Sequence, residues 1–375
     1  MQFRMNNLFH ISKRPELTKT QSVLWYIVAI LCAVFAGGLL ILVLRQNPFA
    51  YYKAVVMGSF KSALSFRGFV RIFVPLLISS LGVSVAFKMK FWNIGAEGQF
   101  IMGAVFACWV GLNFGDTWNH WVLMIVMLIA GAVGGGLFGL IPAFLKCKFG
   151  TNETLMTLML NYIALYLVQY FSDGPWRDPE LKGFSNIKQL PKAARVDNIG
   201  GIDVSWILAL LMVIVLYIYL RYSKHGYEIS VVGDSQNTAR YAGMNVNKII
   251  MRTMFISSAI CGIGGMLKMA GEGSSYTLGV GIAGGVGFTA IIVAWLAKLN
   301  PIGITIVTFL FAILEKGCGV AESKFKLSAS VADIVQGLIL FVILGFDFFM
   351  RYKVSLNIRG EKKTKPQNAV KEEKA

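Results

Sequence analysis

Ten apolar stretches, several of them short, run through this chain, and they constrain its fold more than any other feature. About 20 mostly apolar residues are needed for one helix to cross a bilayer. The chain has 375 residues, of which 56% are hydrophobic and only 15% charged, whereas soluble domains carry charge at about a quarter of their positions. We therefore predict an all-α, polytopic membrane protein with about ten transmembrane helices. The predicted spans are 24–44, 73–87, 94–114, 121–145, 155–171, 206–222, 249–269, 282–296, 302–314 and 331–349.

The distribution of Lys and Arg between the connections predicts the orientation, because cytoplasmic loops of membrane proteins are enriched in basic residues. With a cytoplasmic N-terminus, 22 of the 36 basic residues lie on the inner side. We therefore expect both termini to be cytoplasmic, which requires an even number of spans: ten, or eight if two short ones are re-entrant. The net charge of +17 then reflects orientation and attraction to the lipid bilayer, and no nucleic-acid partner is expected.

Three regions follow from this topology. Residues 1–23 form a cytoplasmic N-terminal segment, 24–350 the transmembrane domain, and 351–375 a basic cytoplasmic tail that we expect to be disordered because it is rich in Lys and Glu. Two connections within the domain stand out by their polarity. Segment 172–205 is predicted to be an ordered external loop, and 223–248 a cytoplasmic connection.

Motifs for catalysis, metal binding and nucleotide binding are missing from the sequence. The five cysteines form no C-x-x-C pair and the three histidines are scattered, so no metal site is predicted. The sequence contains no G-x-x-x-x-G-K-[ST] loop that could hold ATP phosphates, and neither HExxH nor GxSxG. These observations argue against an enzyme and against a cofactor bound by this chain.

Polar residues inside apolar spans are costly and usually functional, and three of them lie close together. Asn93, Glu97 and Gln99 stand among glycines at the start of the third span. One interpretation is a capped helix start at the inner interface, where the helix dipole favours a carboxylate. The other is a broken helix whose polar end faces a translocation path. The residues alone leave both interpretations open.

Further polar groups occur in the fifth and tenth spans. Asn161 lies in the fifth, and Asp333 and Gln336 share one face of the tenth. Each could make an ordinary interhelical hydrogen bond, but together they favour a hydrated pathway. The polar segments 151–154 and 328–333 precede or open these two spans, which is a weak indication of an inverted repeat, a common transporter design.

The connection 223–248 carries helix-capping signals. Asp234 or Ser235 can cap the start of a short helix that runs through Ala239 and Arg240 to a C-cap at Gly243. An ordinary loop with one helical turn is one interpretation. The other is a rigid projection that inserts into a partner protein.

Several motifs in order resemble one family. The match extends from about residue 48 to 349, and the segments that carry it are 91–104 (FWNIGAEGQFIMGA), 152–162, 226–243, 287–303 and 333–338. Together they resemble the permease subunits of bacterial ABC importers of the simple-sugar and nucleoside class. The segment WLAK at 295–298 departs from the usual pattern of the family, which expects smaller residues there.

The resemblance implies a function and a set of partners. The chain would be a multi-pass subunit of the bacterial cytoplasmic membrane that moves a small polar solute by alternating access. It would pair with a second homologous permease subunit and with two ATP-binding cassette domains, which use ATP and magnesium. An extracellular solute-binding lipoprotein would deliver the solute.

The resemblance also assigns residues. The translocation pathway would be lined or braced by Asn93, Glu97, Gln99, Asn161, Asp333 and Gln336. The coupling segment that seats in the ATPase would comprise Gly226, Tyr227, Glu228, Gly233, Ala239, Arg240, Tyr241, Ala242 and Gly243.

Nucleoside is the favoured solute, with a simple sugar next, because the NIGAEGQ segment resembles the nucleoside-type members. The nearby aromatics Phe91, Trp92 and Phe100 could stack on a base or lie at the membrane interface. The alternative function is an ion-coupled secondary transporter that uses Glu97 and Asp333 as cation sites.

Overall fold

The computed structural model describes residues 9–13, 19–180 and 185–356. Its elements in this described part are thirteen α-helices, two 3₁₀ turns and four short strands. The helices are α1 (Lys19–Val43), α2 (Pro48–Gly58), α3 (Ala63–Lys88), α4 (Ala96–Phe114), α5 (His120–Phe149), α6 (Glu153–Asp173), α7 (Ser205–Tyr222), α8 (Lys224–Asp234), α9 (Gln236–Tyr241), α10 (Val246–Ala270), α11 (Val286–Leu296), α12 (Pro301–Phe325) and α13 (Ala329–Arg351). The strands are β1 (Phe9–Lys13), β2 (Asn198–Ile199), β3 (Ile202–Asp203) and β4 (Tyr352–Leu356). The predicted all-α, polytopic fold is therefore confirmed.

The chain divides into two compact units. One consists of residues 1–46 and 334–375, and the other of residues 47–333. In the first unit, β1 pairs with β4 in antiparallel register, and the rings of Trp25 and Phe346 lie 6.3 Å apart. Strand β4 thus occupies the beginning of the segment for which we predicted disorder, while residues 357–375 of that segment lie outside the described residues.

The number of spans is smaller than predicted when helices are judged by length and composition. Among the described residues, seven are long and apolar enough, or eight if α1 and α2 form one broken span. Helix α4 is not apolar enough to be counted as a span, because Glu97 and Gln99 lie in its first two turns. Helix α11 is too short to be counted as a span, because it has only 11 residues. The glycine-rich segment 279–285 before it is not helical. The seven are α3, α5, α6, α7, α10, α12 and the Asp333–Met350 part of α13.

Two spans that the apolar pattern predicted to be short are long helices. Helix α3 has 26 residues and α12 has 25, although charged residues interrupt the apolar run of each. In α3, Arg71 pairs with Glu272. A paired charge is much less costly in a membrane protein than an isolated one, so the helix continues past the point where the apolar pattern ends.

Glycines set the packing at the centre of the larger unit, where α4, α5 and α10 meet. A Cβ atom on Gly103 would overlap the backbone of Gly262, and one on Gly262 would overlap the carbonyl oxygen of Gly131. A Cβ atom on Gly265 would likewise overlap the carbonyl oxygen of Phe100. Small residues allow helix backbones to approach closely in membrane proteins, where van der Waals packing drives association. Helices α4, α5 and α10 therefore pack closely against one another, and the polar residues described below lie around them.

Segment 172–205 follows α6 and is held to the larger unit by polar contacts. His120 Nε2 lies 2.9 Å from Asp197 Oδ2, and the Val196 amide donates to the Ala270 carbonyl at 2.9 Å. Strands β2 and β3 form a two-stranded antiparallel hairpin at its end. The segment is thus anchored to both α5 and α10 in its described part.

Candidate functional site

Asn93, just before α4, and Gln99, in its first turns, are joined by reciprocal hydrogen bonds, which we call the clasp. Asn93 and Gln99 exchange two side-chain bonds, with Asn93 Nδ2 donating to Gln99 Oε1 at 3.0 Å and Gln99 Nε2 donating to Asn93 Oδ1 at 2.9 Å. Asn93 Oδ1 also accepts from the Gly95 amide at 3.1 Å. Both side chains are buried. The clasp therefore satisfies the backbone and side-chain polar groups at the start of α4.

Helix α6 holds the same segment from the other side. The amide of Gly98 donates to Asn161 Oδ1 at 2.8 Å, while Asn161 Nδ2 donates to the Ile94 carbonyl at 3.0 Å. Thr157 Oγ1 accepts from the Ile94 amide at 3.2 Å. Asn161 thus braces the irregular backbone before α4, which a membrane protein tolerates only where protein or water covers it.

The Glu97 carboxylate connects the starts of two helices. Its Oε1 accepts from the Gly285 amide at 2.8 Å and its Oε2 accepts from the Gly287 amide at 2.7 Å. Gly285 has a φ of 83°, which glycine adopts without strain. Negative charge at the N-terminus of α11 is favoured by the helix dipole and by two charge-assisted bonds. Glu97 lies in the first turn of α4, as predicted, but the helix that its carboxylate caps is α11.

Lys268 places a positive charge beside this carboxylate. Its ammonium donates to the Ala283 carbonyl at 3.3 Å, and it interacts electrostatically with Glu97 and Glu315. Glu315 interacts in turn with Asp333. We call these four residues (Glu97, Lys268, Glu315 and Asp333) the charged cluster. Lys268 balances Glu97 and Glu315, which lowers the cost of placing these charges in a membrane domain. Asp333 is exposed and adds a second negative charge beside Glu315.

The charged cluster adjoins a glycine-rich segment that borders open space. A Cβ atom on Gly279, Gly281 or Gly285 would meet no atom of the described chain within 4 Å. Gly281 is exposed, and Gly279 and Gly285 are half-buried. Of the predicted pathway residues, Glu97 and Asp333 belong to the charged cluster, while Asn93, Gln99 and Asn161 form the brace behind it. Gln336 is half-buried and belongs to the unit formed by the terminal segments.

Two of the three aromatic residues near this site are buried. Phe91 is 1% exposed and Phe100 is fully buried, so neither lies at a lipid or solvent surface. Trp92 is 48% exposed, and its ring stacks on Trp295 at 5.5 Å. The ring partner of Trp92 is thus the first residue of segment 295–298, the segment that departs from the usual pattern of the family that the sequence resembles.

The connection 223–248 forms two short helices with complete caps. Ser235 Oγ accepts from the Thr238 amide at 3.2 Å at the start of α9, which confirms one of the two predicted N-caps. Gly243 has a φ of 75° and its amide donates to the Arg240 carbonyl at 3.0 Å, while the Met244 amide donates to the Ala239 carbonyl at 3.0 Å. These two bonds define a Schellman motif, so α9 ends rigidly at the predicted glycine.

Helix α8 fixes this projection to the membrane helices. A Cβ atom on Gly233 would overlap the Lys88 carbonyl oxygen at the end of α3. Glu228 forms an ion pair with Arg252 of α10, with 2.6 Å between Oε2 and Nη2. The hydrogen bond from Arg252 lowers the pKa of the Glu228 carboxyl from its ordinary value. A force on α8 would therefore reach both α3 and α10.

The residues predicted for coupling divide by exposure. Ala239, Gly226 and Gly233 are buried and serve the packing of α8 and α9. Tyr241 is 93% exposed and Tyr227 is 65% exposed. The other exposed members are Arg240, Ala242 and Gly243.

Comparison with known proteins identifies the family. Residues 65–344 match the family described as the branched-chain amino acid transport system, permease component. The chain belongs to this family. The permease is 32% identical over 322 residues to the guanosine ABC transporter permease protein NupP of Bacillus subtilis, covering 84% of this chain and 91% of that relative. It is 27% identical over 342 residues to the glucose ABC transporter permease protein TsgB13 of Haloferax volcanii, covering 88% and 89%.

A third relative is also an ABC transporter permease protein. The nucleoside ABC transporter permease protein NupB of Lactococcus lactis is 26% identical over 336 residues, covering 87% of the permease and 91% of that relative. The permease is thus a multi-pass transport subunit of the bacterial cell membrane and not an enzyme, as the sequence predicted. It acts within an ABC system, which includes an ATPase and a binding protein.

Sequence reasoning assigned no role to several residues of the site. Lys268 and Glu315 complete the charged cluster of the permease. Thr157 holds the brace, and Arg252 holds helix α8 through Glu228. The sequence does indicate Lys268 and Glu315 as candidate site residues, because each is a charged residue within or beside an apolar span. It does not indicate Thr157 and Arg252, since a threonine in a span and a basic residue at the start of a span are both common in membrane proteins.

Proposed function

We propose that this permease moves a nucleoside across the membrane by alternating access, with a simple sugar as the next candidate. The observation that carries the proposal is the charged cluster beside the open glycine-rich segment, which offers carboxylates, an ammonium and backbone groups to a polar, neutral solute. Two of the three relatives are named for guanosine or nucleosides, which favours a nucleoside over glucose.

The proposal includes the partners and the orientation. A second homologous permease subunit completes the membrane part, and two ATP-binding cassette domains bind beneath it and use ATP and magnesium. A solute-binding lipoprotein delivers the solute from outside. Both termini and the α8–α9 projection lie on the cytoplasmic side, which agrees with the enrichment of basic residues there. The pathway is lined by Glu97 and Asp333, with Gln336 as a further predicted member.

Uptake by cells that produce the permease with its transport partners tests the solute. We expect ATP-dependent accumulation of labelled guanosine that excess unlabelled nucleoside suppresses and excess glucose does not. Suppression by glucose alone would instead support a sugar. Uptake that collapses with an uncoupler at constant ATP would contradict the ABC mechanism and favour ion coupling.

Two substitutions test the coupling role of α9. In Gly243→Pro the new residue cannot adopt the positive φ and has no amide to donate, so the Schellman motif is lost. Arg240→Glu reverses an exposed charge on the same helix. We expect each to reduce uptake at least tenfold and to reduce copurification of the ATPase, with the permease still inserted at its normal level.

Lys188→Glu is the matched control, because it reverses a charge on segment 172–205, which is predicted to lie on the opposite side of the membrane. Its uptake and ATPase retention are expected to equal those of the unmodified permease. Normal uptake in both Gly243→Pro and Arg240→Glu would refute a coupling role for α9.

A further inference from the structure

A groove of about 540 Å³ lies between α8 and the segment that joins α9 to α10. Its volume is in the range of small-molecule sites, roughly 300–1,000 Å³. The groove overlaps the segment predicted for coupling, although the exposed residues Arg240 and Tyr241 of α9 do not line it. The coupling residues that line it are Tyr227, Glu228, Ala242 and Gly243. Its lining includes Lys224, His225, Tyr227, Glu228, Lys248 and Arg252.

The groove carries an excess of positive charge. Lys224, Lys248 and Arg252 contribute three cations, and Glu228 contributes a single carboxylate. That carboxylate already pairs with Arg252. Lys224 interacts electrostatically with the same carboxylate, so three cations share one negative charge in the groove. The two lysines come from different elements, Lys224 from α8 and Lys248 from α10.

The start of α10 adds to this excess. No acidic residue lies in its first turn, and Lys248 occupies that turn instead. A cation near a helix N-terminus is unfavourable with respect to the helix dipole, whereas an anion is favourable. An anion in the groove would therefore relieve repulsion from the dipole and from the two lysines at once.

Hydrogen-bond donors in this region also lack acceptors. The Arg252 Nε and Tyr219 hydroxyl groups are buried and have no hydrogen-bond partner among the residues that the structure describes. Tyr219 interacts electrostatically with Arg252 and Glu228, and its ring lies 6.1 Å from that of His225. Of these two residues, Arg252 lines the groove and Tyr219 lies behind it, outside the lining.

We propose that this groove binds a phosphate-class anion. The several oxygen atoms of a phosphate can accept from Lys and Arg side chains that converge from different helices. A bound phosphate would bridge Lys224 on α8 to Lys248 on α10, and so would hold the coupling helices against the membrane helix. The source is either a phospholipid headgroup or a free phosphate. Lys224 follows closely on Tyr222, which ends α7 and is 71% exposed, as interfacial aromatics are.

Thermal unfolding of the full-length permease tests the proposal and separates the two sources. The permease is placed in nanodiscs of phosphatidylcholine alone, of phosphatidylcholine with phosphatidylglycerol, and of phosphatidylcholine alone with inorganic phosphate at matched ionic strength. Ligand binding to the folded state raises Tm by mass action. A rise with phosphatidylglycerol supports a headgroup site, and a rise with inorganic phosphate supports a free-phosphate site.

Variants of the groove lysines test whether the rise in Tm comes from binding in the groove. We expect Lys224→Gln and Lys248→Gln each to weaken the apparent affinity at least tenfold, and Lys248→Arg to retain most of it. Lys148→Gln is the matched control, because Lys148 lies in the last turn of α5 and does not line the groove. No Tm rise in either arm, or an equal rise in all variants, overturns the proposal. Loss of the ATPase from both glutamine variants without any anion effect would also overturn it, in favour of an acidic partner surface.

Discussion

Gly262→Val is expected to destabilise the permease severely. A side chain at this position must enter the space between α10 and α5, where a Cβ atom already overlaps the Gly131 carbonyl oxygen. Overpacking a well-packed core costs about 1–3 kcal/mol, and more where backbone must move. We expect the free energy of unfolding to fall by about 3 kcal/mol or more, measured as a large drop in Tm of the detergent-solubilised permease.

Gly319→Val provides the control for this prediction. It makes the same chemical change in helix α12, but a Cβ atom there meets nothing within 4 Å in the described chain. Its Tm should remain close to that of the unmodified permease. Gly262→Ala should lie between the two, since it adds only the first carbon atom. Equal Tm values for Gly262→Val and Gly319→Val would show that α5 and α10 can separate without cost.

Features that depend on neighbouring residues could be predicted from the sequence. The caps of α9 are the best example, because Ser235 bonds to the Thr238 amide and the Gly243 amide to the Arg240 carbonyl, each three residues away. The positions of most spans follow equally from local apolar composition. Local patterns therefore predict the fold class and the projection that we propose for coupling.

Contacts between distant segments could not be predicted. Glu97 was expected at a helix start, but its two amide partners lie 188 and 190 residues further along the chain. The apolar pattern also places the start of α3 wrongly, at residue 73 instead of Ala63, because the pairing of Arg71 with Glu272 is invisible locally. The burial of Phe91 and Phe100 follows from the packing of helices that the sequence does not order in space.

Within the candidate site, the contacts of the brace and of the charged cluster could not be predicted from the sequence either. Asn93, Gln99 and Asn161 were recognised as unusual, but the sequence could not distinguish a pathway lining from a structural support. Their reciprocal bonds to each other and to the backbone of Ile94 and Gly98 use their polar atoms internally. We therefore expect their substitution to act first on stability, whereas Glu97 also affects transport.

Glu97→Gln is predicted to have the largest effect on transport. The amide can present one oxygen atom where the carboxylate presents two, so the amide of Gly285 or Gly287 loses its acceptor and the charge at the start of α11 disappears. Hydrogen bonds to charged groups contribute about 1.5–3 kcal/mol. Since each 1.4 kcal/mol corresponds to about a tenfold change, we expect uptake to fall by about tenfold or more, and further in Glu97→Ala.

The decisive comparison pairs Glu97→Gln with Asp173→Asn, which removes one carboxylate from the exposed last turn of α6. Uptake of labelled nucleoside is measured for both at equal levels of inserted permease. Asp173→Asn should transport normally, because its carboxylate caps no other helix in the part of the chain that the structure describes. Glu97→Asp should remain impaired, since its shorter side chain retains the charge but cannot reach both amides. Full transport by Glu97→Gln would mean that the start of α11 is held without the carboxylate, and that the charged cluster does not control the pathway.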